Sequence, residues 1–199
     1  IIMGQRLIVT VRSMGEDICK MYFHWSAYTI SALMEVRDMM AEFPMETNSK
    51  EDAILYFIRY CEEYGGGIDG GMDSKEWNYI TNKYPNYKFK SENINRNRGL
   101  IAISEDGMDE MQSWSEGDIY INLDEMTVHN ELFWYYDDID EYNRELADRE
   151  DESITLDEIP EVGEICDFDL EDIDDVIANL KDIPGYVCRN GNEIYELIA

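Results

Sequence analysis

Carboxylates are the residues whose spacing could do chemistry in this chain. Glu171, Asp174 and Asp175 stand at i, i+3 and i+4. On a helix that spacing puts side chains about 5 to 6 Å apart on one face, roughly the scale of neighbouring phosphates along a nucleic-acid strand. Asp137, Asp138, Asp140 and Glu141 make a second group, and Asp148, Glu150, Asp151 and Glu152 a third. Asp167, Asp169 and Asp172 extend the first. From Asp137 to Asp175 the chain carries 19 acidic residues among 39 against Arg144 and Arg149, a formal −17 of the −29 on all 199 residues. Like charges at this density oppose a compact state, so a folded chain needs unusual solvation for them or a partner that takes negative charge.

Other chemistry has thinner material. A hydrolase with two carboxylates across a cleft is conceivable, but with 45 acidic residues some pairs are close in any fold. His24 and His129 are the two histidines, both inside expected strands, and no GxSxG, HExxH or P-loop accompanies them. His24, with Trp25 and Tyr28, is the better candidate for a small-molecule or catalytic pocket. Cys19, Cys61, Cys166 and Cys188 lack a CxxC pair or a neighbouring His at ligand spacing, which favours buried reduced thiols over a metal centre. The glycine-rich stretch 65–71 (GGGIDGG) follows a helix instead of a strand and lacks the Gly-Lys-Ser/Thr ending of a phosphate cradle. Asp69 and Asp73 beside it do not have EF-hand spacing. No cofactor and no metal is expected.

The elements that must position these residues read as α+β, mainly antiparallel β hairpins with packed helices. Arg6 to Ser13 and Ile18 to Trp25 predict a hairpin, with Cys19, Met21, Phe23 and Trp25 on one face and Lys20, Tyr22 and His24 on the other. A helix capped by Ser26 follows over Ala27 to Glu42, its stripe Ile30, Leu33, Met34 and Arg37; Pro44 stops it. Asn48 or Ser49 caps a second helix with Ile54, Leu55, Ile58 and Cys61 inward, ending at the glycines, and Ser74 caps a third. The basic, Asn-rich stretch 87–98 reads as a connector, placing a boundary near Glu92 between units 1–92 and 93–199. Beyond it come a strand over Leu100 to Ser104, a helix over Glu105 to Ser115 and strands over Asp118 to Leu123 and Thr127 to Tyr136. Leu170, Ile173, Val176, Ile177 and Leu180 line one face of a helix expected over Asp167 to Asp182, with its acids displayed outward. Asn190-Gly191 signals a closing hairpin.

Composition excludes several classes. The 44% hydrophobic and 12% aromatic content is too high for wholesale disorder. No apolar run approaches the roughly 20 residues of a bilayer span. The order of basic, apolar and small residues that a secretory signal requires is missing, so a cytosolic protein is expected, with Met3-Gly4 its expected start. Nucleic acid and anionic membranes repel a chain in which 16 Lys and Arg face 45 acids. The partner that negative charge favours is a basic nucleic-acid-binding protein, its groove occupied by carboxylates in place of phosphates. Three plainer explanations compete: acids serving helix starts, a halophile-type surface, and a disordered acidic tail.

Met3-Gly4-Gln5-Arg6-Leu7, the stretch His24-Trp25-Ser26-Ala27-Tyr28-Thr29, and residues 98–123 (RGLIAISEDGMDEMQSWSEGDIYINL) resemble uncharacterised proteins of bacteriophages and mobile elements of low-GC Gram-positive bacteria. The resemblance implies a genomic setting rather than a reaction. Small acidic proteins of that setting are often inhibitors of host defence, among them anti-CRISPR proteins that block a nuclease's DNA groove. Context and charge together give the expectation of an anti-CRISPR-type DNA mimic acting in the bacterial cytoplasm on a partner such as a CRISPR nuclease.

Overall fold

The computed structural model describes residues 6–24, 27, 29–44, 49–90, 99–131, 167–181, 187–190 and 193–196. Strands β1 (Arg6–Ser13) and β2 (Glu16–His24) form the expected hairpin. Its two-residue turn puts Met14 and Gly15 at φ 55° and 77°, the left-handed pairing whose twist matches that of the flanking strands. The Asp124 carboxylate accepts from both turn N–H groups, at 2.8 and 3.0 Å. Those two donors hold its pKa below the usual range. A bulge at Ile18, between the pairs Val11–Cys19 and Arg12–Asp17, turns that side chain into the core as well.

Helix α1 (Thr29–Met40) leads to α2 (Lys50–Tyr64), which Ser49 caps by accepting from the Asp52 N–H. Gly65, at φ 103°, closes α2 in the left-handed C-cap position. The short β3 (Gly67–Ile68) and α3 (Lys75–Lys83) follow, α3 capped by Ser74. Then come β4 (Leu100–Ala102), α4 (Glu105–Gln112), β5 (Gly117–Asn122), β6 (Thr127–Glu131), β7 (Asp167–Asp169), a 3-10 turn Leu170–Asp172 and α5 (Ile173–Lys181). Strands β8 (Val187–Asn190) and β9 (Glu193–Glu196) pair as the hairpin that Asn190-Gly191 signals.

Seven strands make one sheet in the order β3-β4-β2-β1-β5-β6-β7. The fold is α+β and most of its pairings are antiparallel; β1 with β5 and β3 with β4 run parallel. Strands from 1–92 and 93–199 therefore interleave, β4 lying between β3 and β2. One face of the sheet buries Leu7, Val9, Val11, Met21, Phe23, Ile119, Ile121 and Val128 against α1, α2, α3 and α5. The other packs Ile8, Tyr22, Leu100 and Ala102 under Met111 of α4, with Met108 and Trp114 at its margin.

The inward stripe of α1 is rotated from the expected one. Leu33 is shared, but Ala32, Val36, Met39 and Met40 complete it, while Arg37 and Met34 sit at its edge. Met39 is fully buried and Met40 lines a cleft with Met126, Leu170 and Ile173, positions at which an arginine would be left charged and unpaired. Asp167 and Asp169 belong to a strand instead of a helix, because the 167–169 backbone pairs with 127–129 of β6 and Phe168 turns toward the core. The helix starts at Ile173.

Candidate acidic partner-binding surface

Strand β7 lies on the edge of the sheet, and its alternation sends Phe168 inward and leaves Asp167 and Asp169 exposed. Leu170, Ile173 and Ile177 then enter the core, each less than a tenth exposed. Burying such side chains contributes about 2 kcal/mol apiece, which fixes the backbone that carries Glu171, Asp172, Asp174 and Asp175. All six acids of this segment are exposed. Asp167 and Asp174 keep 79% and 77% of their side-chain surface in solvent, so a partner can reach them without rearrangement.

Capping does not account for them all. Asp174 and Asp175 stand in the first turn of α5, where negative charge suits the helix dipole. Asp169 precedes the 3-10 turn, yet its side chain makes no capping hydrogen bond. Among the described residues, the basic side chains within 4 Å of the segment are His129, 2.7 Å from Asp167, and Arg37, 3.8 Å from Asp174. Asp169, Glu171 and Asp174 line one cleft with Arg37, Met40 and Phe43. The arrangement can present a short array of carboxylates to cations; it offers no nucleophile with a base beside it.

The remaining expected contact residues, Asp137, Asp138, Asp140, Glu141, Glu150, Asp151 and Glu152, lie outside the described residues, as does Asp148. So do Trp25, Tyr28, the Ser26 cap, Cys166 and the stretch 132–136 of the strand expected over Thr127 to Tyr136. His24 is described. Its Nδ1 lies 2.5 Å from the Tyr22 hydroxyl in a cleft that also contains Arg6 and Trp114. Burial and the Arg6 charge push the His24 pKa down, while burial pushes that of Tyr22 up. The partner of the imidazole is thus a neutral phenol instead of a carboxylate that would stabilise its charged form.

The glycine-rich stretch uses its N–H groups within the fold. Those of Gly66, Gly67, Asp69 and Gly71 donate to the carbonyls of Cys61, Gly99, Ile101 and Ile68, which removes the donors a phosphate would need. Cys19 and Cys61 are buried free thiols, and burial pushes both pKa values up. No group of three His, Cys, Asp or Glu able to hold a metal ion occurs among the described residues. No helix among them is long and apolar enough to cross a membrane.

The structure brings together a set the sequence reading passed over. Glu35, only 8% exposed, accepts hydrogen bonds from the hydroxyls of Tyr60 and Tyr64 at 2.8 and 2.9 Å. The available signal was the recurrence of Tyr56, Tyr60 and Tyr64 every four residues along α2, with Glu35 and Asp38 at a similar spacing in the preceding helix. No known protein family, curated protein sequence or solved structure matches the chain.

Proposed function

We propose that this chain binds a basic nucleic-acid-binding host-defence protein in the bacterial cytoplasm and inhibits it, as an anti-CRISPR-type mimic of DNA. Supporting the reading is the anchored segment Asp167 to Asp175: six exposed carboxylates on a backbone held by Leu170, Ile173 and Ile177, with Arg37 and His129 near them. A DNA-binding groove is built to neutralise a dense row of phosphates. A rigid row of carboxylates meets the same lysines and arginines while losing little conformational entropy on binding. The sign of the charge carries the argument, because −29 on the chain repels nucleic acid and favours what nucleic acid favours. A CRISPR nuclease is a partner of this chemistry.

The test uses Glu171→Gln, Asp172→Asn, Asp174→Asn and Asp175→Asn combined. All four side chains are exposed, so the fold should persist, with stability unchanged or raised as like charges are removed. Inhibition of a CRISPR nuclease by the native chain and its loss in this variant are the expected results. Full inhibition by a folded variant contradicts the role of the segment.

A further inference from the structure

A groove adjoins the acidic cleft, lined by α2 and by the end of α1 with the residues just after it. Ala41 lines both, and Arg37 joins them, pairing with Asp38 at 2.8 Å and approaching Asp174 at 3.8 Å. In the groove the rings of Tyr60 and Tyr64 stack with centroids 5.8 Å apart and planes 23° from parallel. The shared acceptor Glu35 fixes both hydroxyls and so the orientation of both rings. Asp38 on α1, Glu42 in the turn just after it and Glu63 on α2 stand exposed at the rim.

Stacked electron-rich faces flanked by carboxylates suit a planar cation. A guanidinium lies flat on an aromatic ring and directs its N–H fork sideways into carboxylates, whereas an ammonium is a compact, strongly hydrated point charge that gains less. Arg59 and Tyr56 line the same groove, and the Arg59 guanidinium lies 5.6 Å from the centroid of the Tyr56 ring, one helical turn from Tyr60. One such contact thus already stands beside the stacked pair, and the groove sets three exposed acids against this one cation. Anions are repelled by the rim, and an apolar peptide would leave its three acids without use.

We propose that this groove is an arginine-binding site, taking an arginine side chain of the same basic partner whose lysines and arginines meet the Asp167 to Asp175 segment. The identity of the partner rests on the function proposed above; the preference for guanidinium rests on the groove alone. Arginine in the groove would add a directional anchor to a charge array that by itself reads only sign and spacing.

The test titrates the full chain with tri-arginine and tri-lysine peptides while following the ring signals of Tyr60 and Tyr64 by NMR. Expected are saturable shifts of both tyrosines with tri-arginine and binding of tri-lysine at least threefold weaker. The combination Asp38→Asn, Glu42→Gln and Glu63→Gln should weaken tri-arginine about fivefold, the scale of three exposed ion pairs. Replacing the four acids of residues 171–175 should leave the tyrosine shifts in place. Absence of the shifts, equal affinity for the two peptides, or an unchanged affinity in the rim variant overturns the arginine site. If peptide signals move only along 167–181 while the chain still competes with DNA for its partner, the groove fails alone. If tri-arginine fills the groove but the 171–175 variant inhibits undiminished, the role of the acidic segment fails alone.

Discussion

Protonated His129 can donate from both ring nitrogens, to Asp167 at 2.7 Å and toward Glu131 at 3.4 Å, and so ties the edge strand to its neighbour. Burial alone would lower its pKa, but the two carboxylates outweigh burial and raise it. A raised folded-state pKa means stabilisation that is complete below the unfolded value, about 6.5, and is lost as pH rises through the folded one. His129→Gln should therefore lower the melting temperature more at pH 6 than at pH 8.5. The side chain is 40% exposed, and solvent screening holds the effect under about 1 kcal/mol. An equal loss at both pH values would remove the charged bridge from the account. Glu76 is the stronger structural acid. Only 5% exposed, it accepts from the N–H groups of Ile103 and Ser104 at 2.6 and 3.0 Å and from the Ser104 hydroxyl, joining α3 to the start of α4. Glu76→Ala leaves those donors without their acceptor and should cost about 2 to 4 kcal/mol in urea unfolding. Gly107 is part of the same joint, since a Cβ there would meet the Glu76 carboxylate at 2.3 Å. Neither role was legible beforehand, because a buried structural carboxylate and a solvated one look alike among 45 acids.

Elements were more legible where local chemistry decides them. The hairpin turn, the Ser49 and Ser74 caps, the glycine stop of α2 and the closing Asn-Gly hairpin all depend on a few adjacent residues, and each was readable. Gly15 tests the turn directly. With φ at +77° and nothing within 4 Å of an added Cβ, Gly15→Ala should cost about 1 kcal/mol through backbone strain alone. Thermal unfolding measures that loss, and a neutral substitution would mean the turn is not left-handed. Long-range pairing decided the features that sequence periodicity missed. The parallel contact of β1 with β5 joins residues more than a hundred positions apart, and the pairing of β6 with β7 converts the expected first helical turn at Asp167 into strand. The rotation of α1 has the same origin, since only packing against distant parts of the chain such as Leu170 and Ile173 shows why Met39 and Met40, and not Arg37, turn inward. For the candidate surface this shift has a consequence: Asp167 and Asp169 extend along a sheet edge, where acids also deter strand addition by other chains, and Glu171 to Asp175 continue from them at the helix start.

At the scale of the whole molecule, a formal −29 bears on stability, and on the choice of partner under the function proposed above. Self-repulsion is screened as the Debye length falls from about 10 Å at 0.1 M to about 3 Å at 1 M salt. The melting temperature should accordingly rise between these concentrations, followed by circular dichroism; a fall would mean that the acids are already neutralised within the fold. Binding to a basic partner must respond in the opposite sense, because the same screening weakens attraction between unlike charges. The charge excess was legible at once. The burial of Leu170, Ile173 and Ile177 beneath outward-facing acids was legible too from their helical spacing, whereas the edge strand that carries Asp167 and Asp169 was not, because it depends on pairing with the distant β6. The measurement that bears most directly on the proposed function is competition between this chain and duplex DNA for a CRISPR nuclease as salt is raised. The account predicts mutually exclusive binding that weakens at least tenfold between about 0.1 and 0.3 M salt, as expected where several charge contacts are made together. A nuclease that holds DNA and this chain at once, or an affinity indifferent to salt, would contradict it.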